Sequence, residues 1–475
     1  MKSSSPRPSH QRTSRSQPGR SRSASSQSAR TRQASRERAA AKGETVEEEV
    51  EISAIGSRGD GLALAADGTH LFVPYSTAGD RWRVAIRQDA QALARGAGLR
   101  GEPVELLAAG PDRAEPACRH FGRCGGCTLQ HLTAEAYEGW KVNQVRSALN
   151  RVGLDEVPVE RLVTCQPGSR RRARLAALKR GGKVWLGFNE RMSHRLVDVE
   201  DCPVLTPRLM ALVAPLRQML VGLLPDGGDC DVMLADLAGG IDMLLIGPKR
   251  LGAGERDQLI GFAMTEVARI SWRASDSSGI EPVASRRPVM VEFDGLAVQP
   301  PPGTFLQASA EGEAALVSAV LAAINERVAA GKPVRRIADL FAGLGTFSVP
   351  LSRIAAVHAV DGESPPLSAL NKAAGALRLV TEPRDLFETP LTVKELSRFD
   401  AVVFDPPRAG ATAQAAMLAQ SRVPLVIGVS CNPSSFVRDA RVLVDGGYRL
   451  VSVTPVDQFL WSTHIELVGV FQRQG

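Results

Sequence analysis

The chain has 475 residues, 44% of them hydrophobic, which is ordinary for a globular protein but too long for one core, so about two to four domains are expected. Lys and Arg exceed Asp and Glu by 7, but the excess sits at one end: residues 1–43 hold 11 Lys/Arg against one Glu, and the remainder holds 47 against 50. With no run of 18 apolar residues and no apolar stretch behind the basic start, a membrane span and a secretory signal are both unexpected, and any contact of the folded body with a polyanion must come from local patches.

Taken in order, the Ser/Arg-rich segment 1–43 has no aromatic residue and too little apolar surface to fold. It is expected to be a solvated tail that attracts phosphate weakly. Strand-like alternation begins near Val46 and continues in Leu62–Ala65, Leu71–Pro74, Trp82–Arg87 and Pro103–Leu107, with turn residues between, which predicts a small antiparallel barrel. A cysteine cluster follows, then a helix over Ala134–Val152. From Arg172 to Gln299 strand-like runs alternate with helical stretches such as Thr206–Leu223, and Pro300–Pro302 stiffens the connection onward. Beyond Gln307 the pattern changes. Helix Ala310–Ala329 leads to strand Arg336–Leu340 and a Gly-rich turn, and strands at Ala355–Val360, Ala401–Phe404, Pro424–Val429 and Tyr448–Pro455 alternate with helices. That alternation predicts a doubly wound α/β sheet, mostly parallel.

The turn Asp339-Leu-Phe-Ala-Gly-Leu-Gly-Thr-Phe347 joins an apolar strand to a helix. Gly343 and Gly345 permit a tight turn and close approach of a ligand. Asp361 ends the next strand 22 positions after Asp339, where a carboxylate accepts from ribose hydroxyls. Val349 occupies the place of the third glycine of the dinucleotide fingerprint, so the turn looks instead like the first motif of class I methyltransferases that use S-adenosylmethionine (SAM). Asp405-Pro-Pro-Arg408 follows another apolar strand, at the sheet end where ligands bind in such folds.

Ser430-Cys431-Asn432-Pro433 ends the next strand. A lone cysteine there is more often packing than chemistry. Beside a cofactor turn, however, a thiol suits attack on C6 of a pyrimidine, which makes C5 nucleophilic enough to take a methyl from a sulfonium. A base must then remove the C5 proton. Glu466 in His464-Ile-Glu-Leu467 is the candidate, its pKa raised by partial burial.

Seven cysteines, at Cys118, Cys124, Cys127, Cys165, Cys202, Cys230 and Cys431, are an odd number and no disulfide framework. Cys118-x5-Cys124-Gly-Gly-Cys127 puts three thiols at ligand spacing. Four thiolates serve zinc or an iron–sulfur cluster equally, and the spacing does not separate them. Arg170-Arg-Arg-Ala-Arg174 is the clearest basic run outside the tail. Alternation along a strand turns some of its arginines toward phosphate and others toward salt bridges, with Arg171, Arg172 and Arg174 the candidate RNA contacts.

With these residues assembled, nearly everything after residue 44 resembles the RNA uracil-C5 methyltransferase family, most closely its branch acting on 23S ribosomal RNA. The resemblance implies a TRAM (OB-like) β-barrel over 44–110, carrying Gly56-Ser-Arg-Gly-Asp-Gly61, and a central α+β domain over 111–300. A Rossmann-like class I methyltransferase domain would fill 301–475. It implies Cys431 as nucleophile, Glu466 as base, and SAM contacts from Gln307 (in Gly303-Thr-Phe-Leu-Gln307), Phe341, Gly343, Gly345, Thr346, Asp361, Asp385 and Asp405. Members of this branch bind a [4Fe–4S] cluster, with the fourth ligand in a Cys-Pro pair. That selects Cys202 rather than Cys165 to join Cys118, Cys124 and Cys127. Thr346 stands where many members have Asn, Asp361 where many have Glu, and Leu460 where many have Pro. The expected protein is a cytoplasmic, monomeric enzyme whose partner is RNA, ribosomal before transfer RNA. A non-catalytic RNA-binding or ribosome-assembly protein and an iron–sulfur electron carrier are the rivals. The first leaves Cys431, Glu466 and the glycine turn without a purpose, and the second leaves the whole last segment so.

Overall fold

A computed structural model describes residues 45–87, 97–275 and 279–474. The expectation of a solvated tail over 1–43 lies outside the described residues. The first unit is a six-stranded sheet in the order Thr45–Glu51, Arg81–Arg87, Leu99–Ala108, His70–Val73, Gly61–Leu64, Ala54–Ile55. Its inward positions alternate along each strand, and Val50, Ile52, Leu71, Val73, Val84, Ile86 and Leu99 share one small core. Pairing is antiparallel except between His70–Val73 and Leu99–Ala108, which run parallel, so the all-antiparallel pattern expected from the turns is broken once.

The central unit is a seven-stranded sheet in the order Leu196–Asp198, Lys183–Asn189, Arg172–Arg180, Asp229–Leu237, Gly240–Gly247, Arg269–Ala274, Glu281–Ser285. Helices Pro207–Leu223 and Ala253–Thr265 pack on it. The first of these starts where the sequence reading put it. Thr206 caps it, accepting from the Leu209 amide at 3.4 Å, and Pro207 takes the first helical position, where a missing N–H costs nothing.

The last unit is an eight-stranded sheet in the order Leu379–Pro383, Ala356–Asp361, Arg336–Leu340, Ala401–Phe404, Leu425–Ser430, Glu466–Arg473, Tyr448–Asp457, Val163–Thr164. The first five strands are parallel, and Glu466–Arg473 runs antiparallel to both its neighbours. The parallel strands are buried on both faces, which is why they read as continuous apolar runs. Side chains alternate between two cores, Ile337, Val403 and Ile427 in one and Ala338, Val402 and Val426 in the other.

Two features cross the sequence boundary at residue 300. Strand Val163–Thr164 forms the edge of this last sheet. Helix Ala134–Asn150 contributes Val145, Ala148 and Leu149 to the same core as Leu340, Phe404, Val426 and Leu467. Its Lys141, fully buried, pairs with buried Asp457 at 3.0 Å and also donates to the main-chain oxygen of His464, while Tyr137 donates to the same carboxylate. No helix among the described residues is long and apolar enough to cross a membrane.

Candidate active site

Within the parallel part of the last sheet the chain enters at Arg336–Leu340, lays Ala356–Asp361 and Leu379–Pro383 on one side and then Ala401–Phe404 and Leu425–Ser430 on the other, which leaves a crevice at the carboxyl ends of Arg336–Leu340 and Ala401–Phe404. The Gly-rich turn lies there. Gly343 and Gly345 have φ of 54° and 97°, and a Cβ on Gly345 would sit 2.6 Å from Leu370, so only glycine fits. Phe341 is itself held at φ 63°, a strained value for an aromatic residue. The Asp361 carboxylate accepts from the amides of Gly343 at 2.8 Å and Glu363 at 2.6 Å, locking the turn against the neighbouring strand end. Asp385 accepts from the Phe387 amide at 2.9 Å, and the Phe387 ring lies 5.5 Å from that of Phe341. Phe341, Gly343, Asp361 and Asp385 are thus gathered at one edge of the crevice. Thr346 follows Gly345 in the same turn and also lines a cleft with Glu313, Ala314, Val317 and Pro350.

Toward the sheet's other half lies a cavity of about 520 Å³. Cys431, directly after strand Leu425–Ser430, and Glu466, which opens the last strand, both line it, as do Arg172, Phe305, Arg408 and His464. Local bonds fix the Cys431 turn. Asn432 caps helix Pro433–Asp445 through the Ser434 amide at 3.1 Å, and its side-chain amide donates to the main-chain oxygen of Arg408 at 3.0 Å. The Asp405-Pro-Pro-Arg408 turn is thereby tied to the thiol's own turn, and Arg408 approaches His464 Nδ1 at 3.3 Å.

The electrostatics follow from enclosure. Burial, with Glu466 and Asp405 nearby, pushes the Cys431 thiol up to about 11, against the opposing pull of Arg408. Burial and the Asp405 charge raise Glu466 to about 8, against a hydrogen bond from Gln458 and the charge of Arg172. Burial also raises Asp405 to about 7, against a hydrogen bond from Gln307 at 3.3 Å. A carboxyl near 8 holds a proton at neutral pH and exchanges it readily, which is what a working acid or base needs.

The basic run divides as its alternation suggests. Arg171 turns inward, donating to Glu313 at 2.7 Å and to the main-chain oxygen of Gln307 at 3.2 Å. Arg172 lies over the Phe305 ring, 4.2 Å from its centre, inside the cavity. Arg174 is exposed and pairs with Asp231 at 2.5 Å. Sequence reading missed Phe305 as a cavity residue. A large aromatic side chain that is 62% exposed was the signal, and exposure is not visible in sequence.

Cys118, Cys124, Cys127 and Cys202 line the far part of the same cavity, brought together from the loop before helix Ala134–Asn150 and from the turn after Leu196–Asp198. Cys165 is elsewhere, buried against the Ser309 hydroxyl at 3.0 Å, and Cys230 lies in the central core. Main-chain amides of His120 and Gly126 donate to the sulfurs of Cys118 at 3.4 Å and Cys124 at 3.5 Å. Among the described residues, no three or more His, Cys, Asp or Glu side chains converge closely enough to hold a single metal ion.

Comparison with known proteins bears on this geometry. Residues 384–474 match the family model described as tRNA (Uracil-5-)-methyltransferase. A Caulobacter vibrioides protein named as an RNA methyltransferase is 42% identical over 439 residues, 90% of this chain and 100% of that one. The Halomonas elongata protein named 23S rRNA (uracil(1939)-C(5))-methyltransferase RlmD is 32% identical over 438 residues, 89% of each chain. Among solved structures, the Pyrococcus abyssi tRNA (uracil-54, C5)-methyltransferase in complex with S-adenosyl-L-homocysteine superposes with a TM-score of 0.70 at 21% identity, over 89% of this chain and 99% of that one, a likeness of fold. On the sequence relatives, which span nearly the whole chain, the protein is an enzyme and belongs to the RNA uracil-C5 methyltransferase family.

Proposed function

We propose that this enzyme methylates C5 of a uridine in 23S ribosomal RNA, using SAM, with Cys431 as nucleophile and Glu466 as base. The observation that carries the reading is that Cys431 and Glu466, 35 residues apart in sequence, line one cavity at the strand ends beside the glycine turn. When bound, SAM supplies a methyl group as an electrophile to the C5 carbanion. Phe341, Gly343, Gly345, Asp361, Asp385, Asp405 and Gln307 would hold it, and the fit rests on the open space over Gly343 and on the ordered carboxylates around it. Thr346, in the same turn, would hold it with them.

The chain's own residues account for the rest. The Cys431 thiol ionises, helped by Arg408, and its sulfur bonds to C6 while the C5–C6 electron pair moves onto C5. After C5 is methylated, Glu466 takes the C5 proton. The electrons of that C–H bond re-form C5–C6, and the Cys431–C6 bond breaks. Arg172, with Phe305, and Arg174 would grip the RNA so that the uridine leaves its stack, while Arg171 holds their strand to helix Ala310–Ala329. The Thr45–Ala108 sheet is read as the TRAM-type RNA-binding module.

We also read Cys118, Cys124, Cys127 and Cys202 as ligands of a [4Fe–4S] cluster. Four thiols on one cavity, with main-chain N–H groups aimed at two of the sulfurs, suit such a group. A cubane also holds its ligating sulfurs farther apart than a single ion does. The group would organise the loop and supply no step.

The Pyrococcus enzyme's substrate makes transfer RNA the second reading. One experiment addresses both. Glu466→Gln incubated with SAM and unmodified 23S transcript is expected to accumulate a covalent, methylated protein–RNA adduct on denaturing gels, and to form none with bulk tRNA. Wild-type turnover by this variant would remove Glu466 as base, and adduct with tRNA alone would move the substrate.

A further inference from the structure

Gln458 belongs to no motif of the sequence, yet its amide is the most constrained polar group near the cavity. It is buried, 3% exposed, in the segment between the last two strands. Its Oε1 accepts from the main-chain amide of Ala308 at 2.7 Å. A main-chain N–H can only donate, so the atom facing it is the oxygen and the amide's orientation is set. Its Nε2 must then face the other way, where it donates to Gln307 Oε1 at 2.6 Å and to Glu466 Oε1 at 3.0 Å. Because Gln307 accepts with its oxygen, its own nitrogen faces Asp405 Oδ2. One anchored amide thus dictates the orientation of a second and aligns two carboxyls on different strands. The packing leaves no slack. A Cβ on Gly312 would stand 2.5 Å from the Cβ of Gln458, so a glycine in the first turn of helix Ala310–Ala329 admits the side chain.

The carboxyl of Glu466 has no other side-chain or main-chain hydrogen bond among the described residues. We propose that Gln458 is the positioning residue of this enzyme: by donating to Oε1 it holds the carboxyl in one rotamer, leaves Oε2 to receive the C5 proton, and stabilises the ionised base. This rests on the reading of Glu466 as base. Without the donor the ionised form is stabilised less, so the carboxyl holds its proton to higher pH.

The test uses Gln458→Met, of similar length without a donor, and Gln458→Asn, which keeps polarity and falls one methylene short. Single-turnover methyl transfer from SAM to unmodified 23S transcript, adduct breakdown and SAM affinity are measured across pH, with Glu466→Gln alongside. Met also releases Gln307, so some loss of SAM affinity is expected, but it should slow adduct breakdown about tenfold or more, beyond any loss in SAM affinity or methyl transfer, and move the acid limb of breakdown upward by about one pH unit or more. Asn should shift it the same way by less, and carries the test if Met does not fold. Breakdown with an unchanged pH profile in both variants, while Glu466→Gln stalls, would overturn the role of Gln458 and leave the base in place. Normal turnover by Glu466→Gln would overturn both. Equal losses in SAM affinity, methyl transfer and breakdown without a pH shift would reduce Gln458 to packing.

Discussion

The two ends of the 520 Å³ cavity are built by different means. At the Cys431–Glu466 end both of those side chains sit at the ends of buried strands, and hydrogen bonds from Asn432 to the main chain of Arg408 and from Gln458 to Gln307 tie the neighbouring turns together. At the Cys118–Cys127 end, by contrast, the chain turns without a strand of its own among the described residues. It is held by a few main-chain contacts, such as Gly125 to Asn189 at 2.9 Å, Leu129 to Trp461 at 3.0 Å and the single bridge of Cys124 to Glu190. One end keeps its geometry through sheet and core. The other is a loop fixed by turns and by scattered contacts, such as the Cys118 amide donating to the Gln130 side-chain oxygen at 2.9 Å and the Phe121 ring against Tyr75. On the proposed reading the reacting groups stand on strand ends and the cluster ligands on the loop across from them.

The largest effect should come from the rigid end. Cys431→Ala is expected to lose at least about a thousandfold in methylation and to form no adduct with 5-fluorouridine RNA, with SAM affinity and melting temperature unchanged. Retained methylation would show that the rigid end does not supply the nucleophile. At the loop end, anaerobically purified protein is expected to be brown and to lose its iron in Cys127→Ser. Activity there should fall about tenfold or more while SAM affinity is kept. A colourless wild-type protein containing zinc would break the comparison at its cofactor. The pH profile sharpens it from the other side. Since Glu466 holds its proton up to about 8, adduct breakdown should speed up about tenfold per unit below that midpoint and level off above it. A flat profile from pH 6 to 9 would place the limiting proton elsewhere. The smallest effect belongs to neither end. Deleting residues 1–43 should weaken RNA affinity by no more than about threefold at low salt and leave the methylated position unchanged, and a moved position would make that segment a recognition element.

The rigid end was legible in sequence for a physical reason. Strand, turn and helix cap are local, so Asp339–Phe347, Asp405–Arg408 and Ser430–Pro433 each announce a strand end within a few residues. Gln458, Lys141 and Asp457 announce nothing. Their partners stand 150, 316 and 316 residues away, and only the fold makes a buried lysine or glutamine sensible. The division at residue 300 was read from a change of period, which reports the elements before and after it. It does not report that helix Ala134–Asn150 and strand Val163–Thr164 are claimed by the later sheet. The parallel pairing of Leu71 with Leu99 was hidden because alternation marks a strand without its direction. The arginine run shows both the reach and the limit of pattern. Alternation predicts that the run divides, but the sequence reading groups Arg171 with Arg172 and Arg174 as an RNA contact, and only the fold shows it drawn inward to Glu313.

The position of strand Glu466–Arg473 has a consequence for how the molecule is made. It slots between Leu425–Ser430 and Tyr448–Asp457, so the sheet cannot close until residues 466–473 have themselves been made and have emerged from the ribosome. Until then Leu425–Ser430, buried along its whole length in the finished sheet, is an open edge, and Lys141, synthesised more than 300 residues earlier, waits for Asp457. The thiol therefore exists on the nascent chain before the carboxyl that would release its product. A chain ending at residue 465 would carry Cys431 beside an exposed strand edge, without Glu466, and so would present an aggregation-prone edge before it could release any RNA it had attacked.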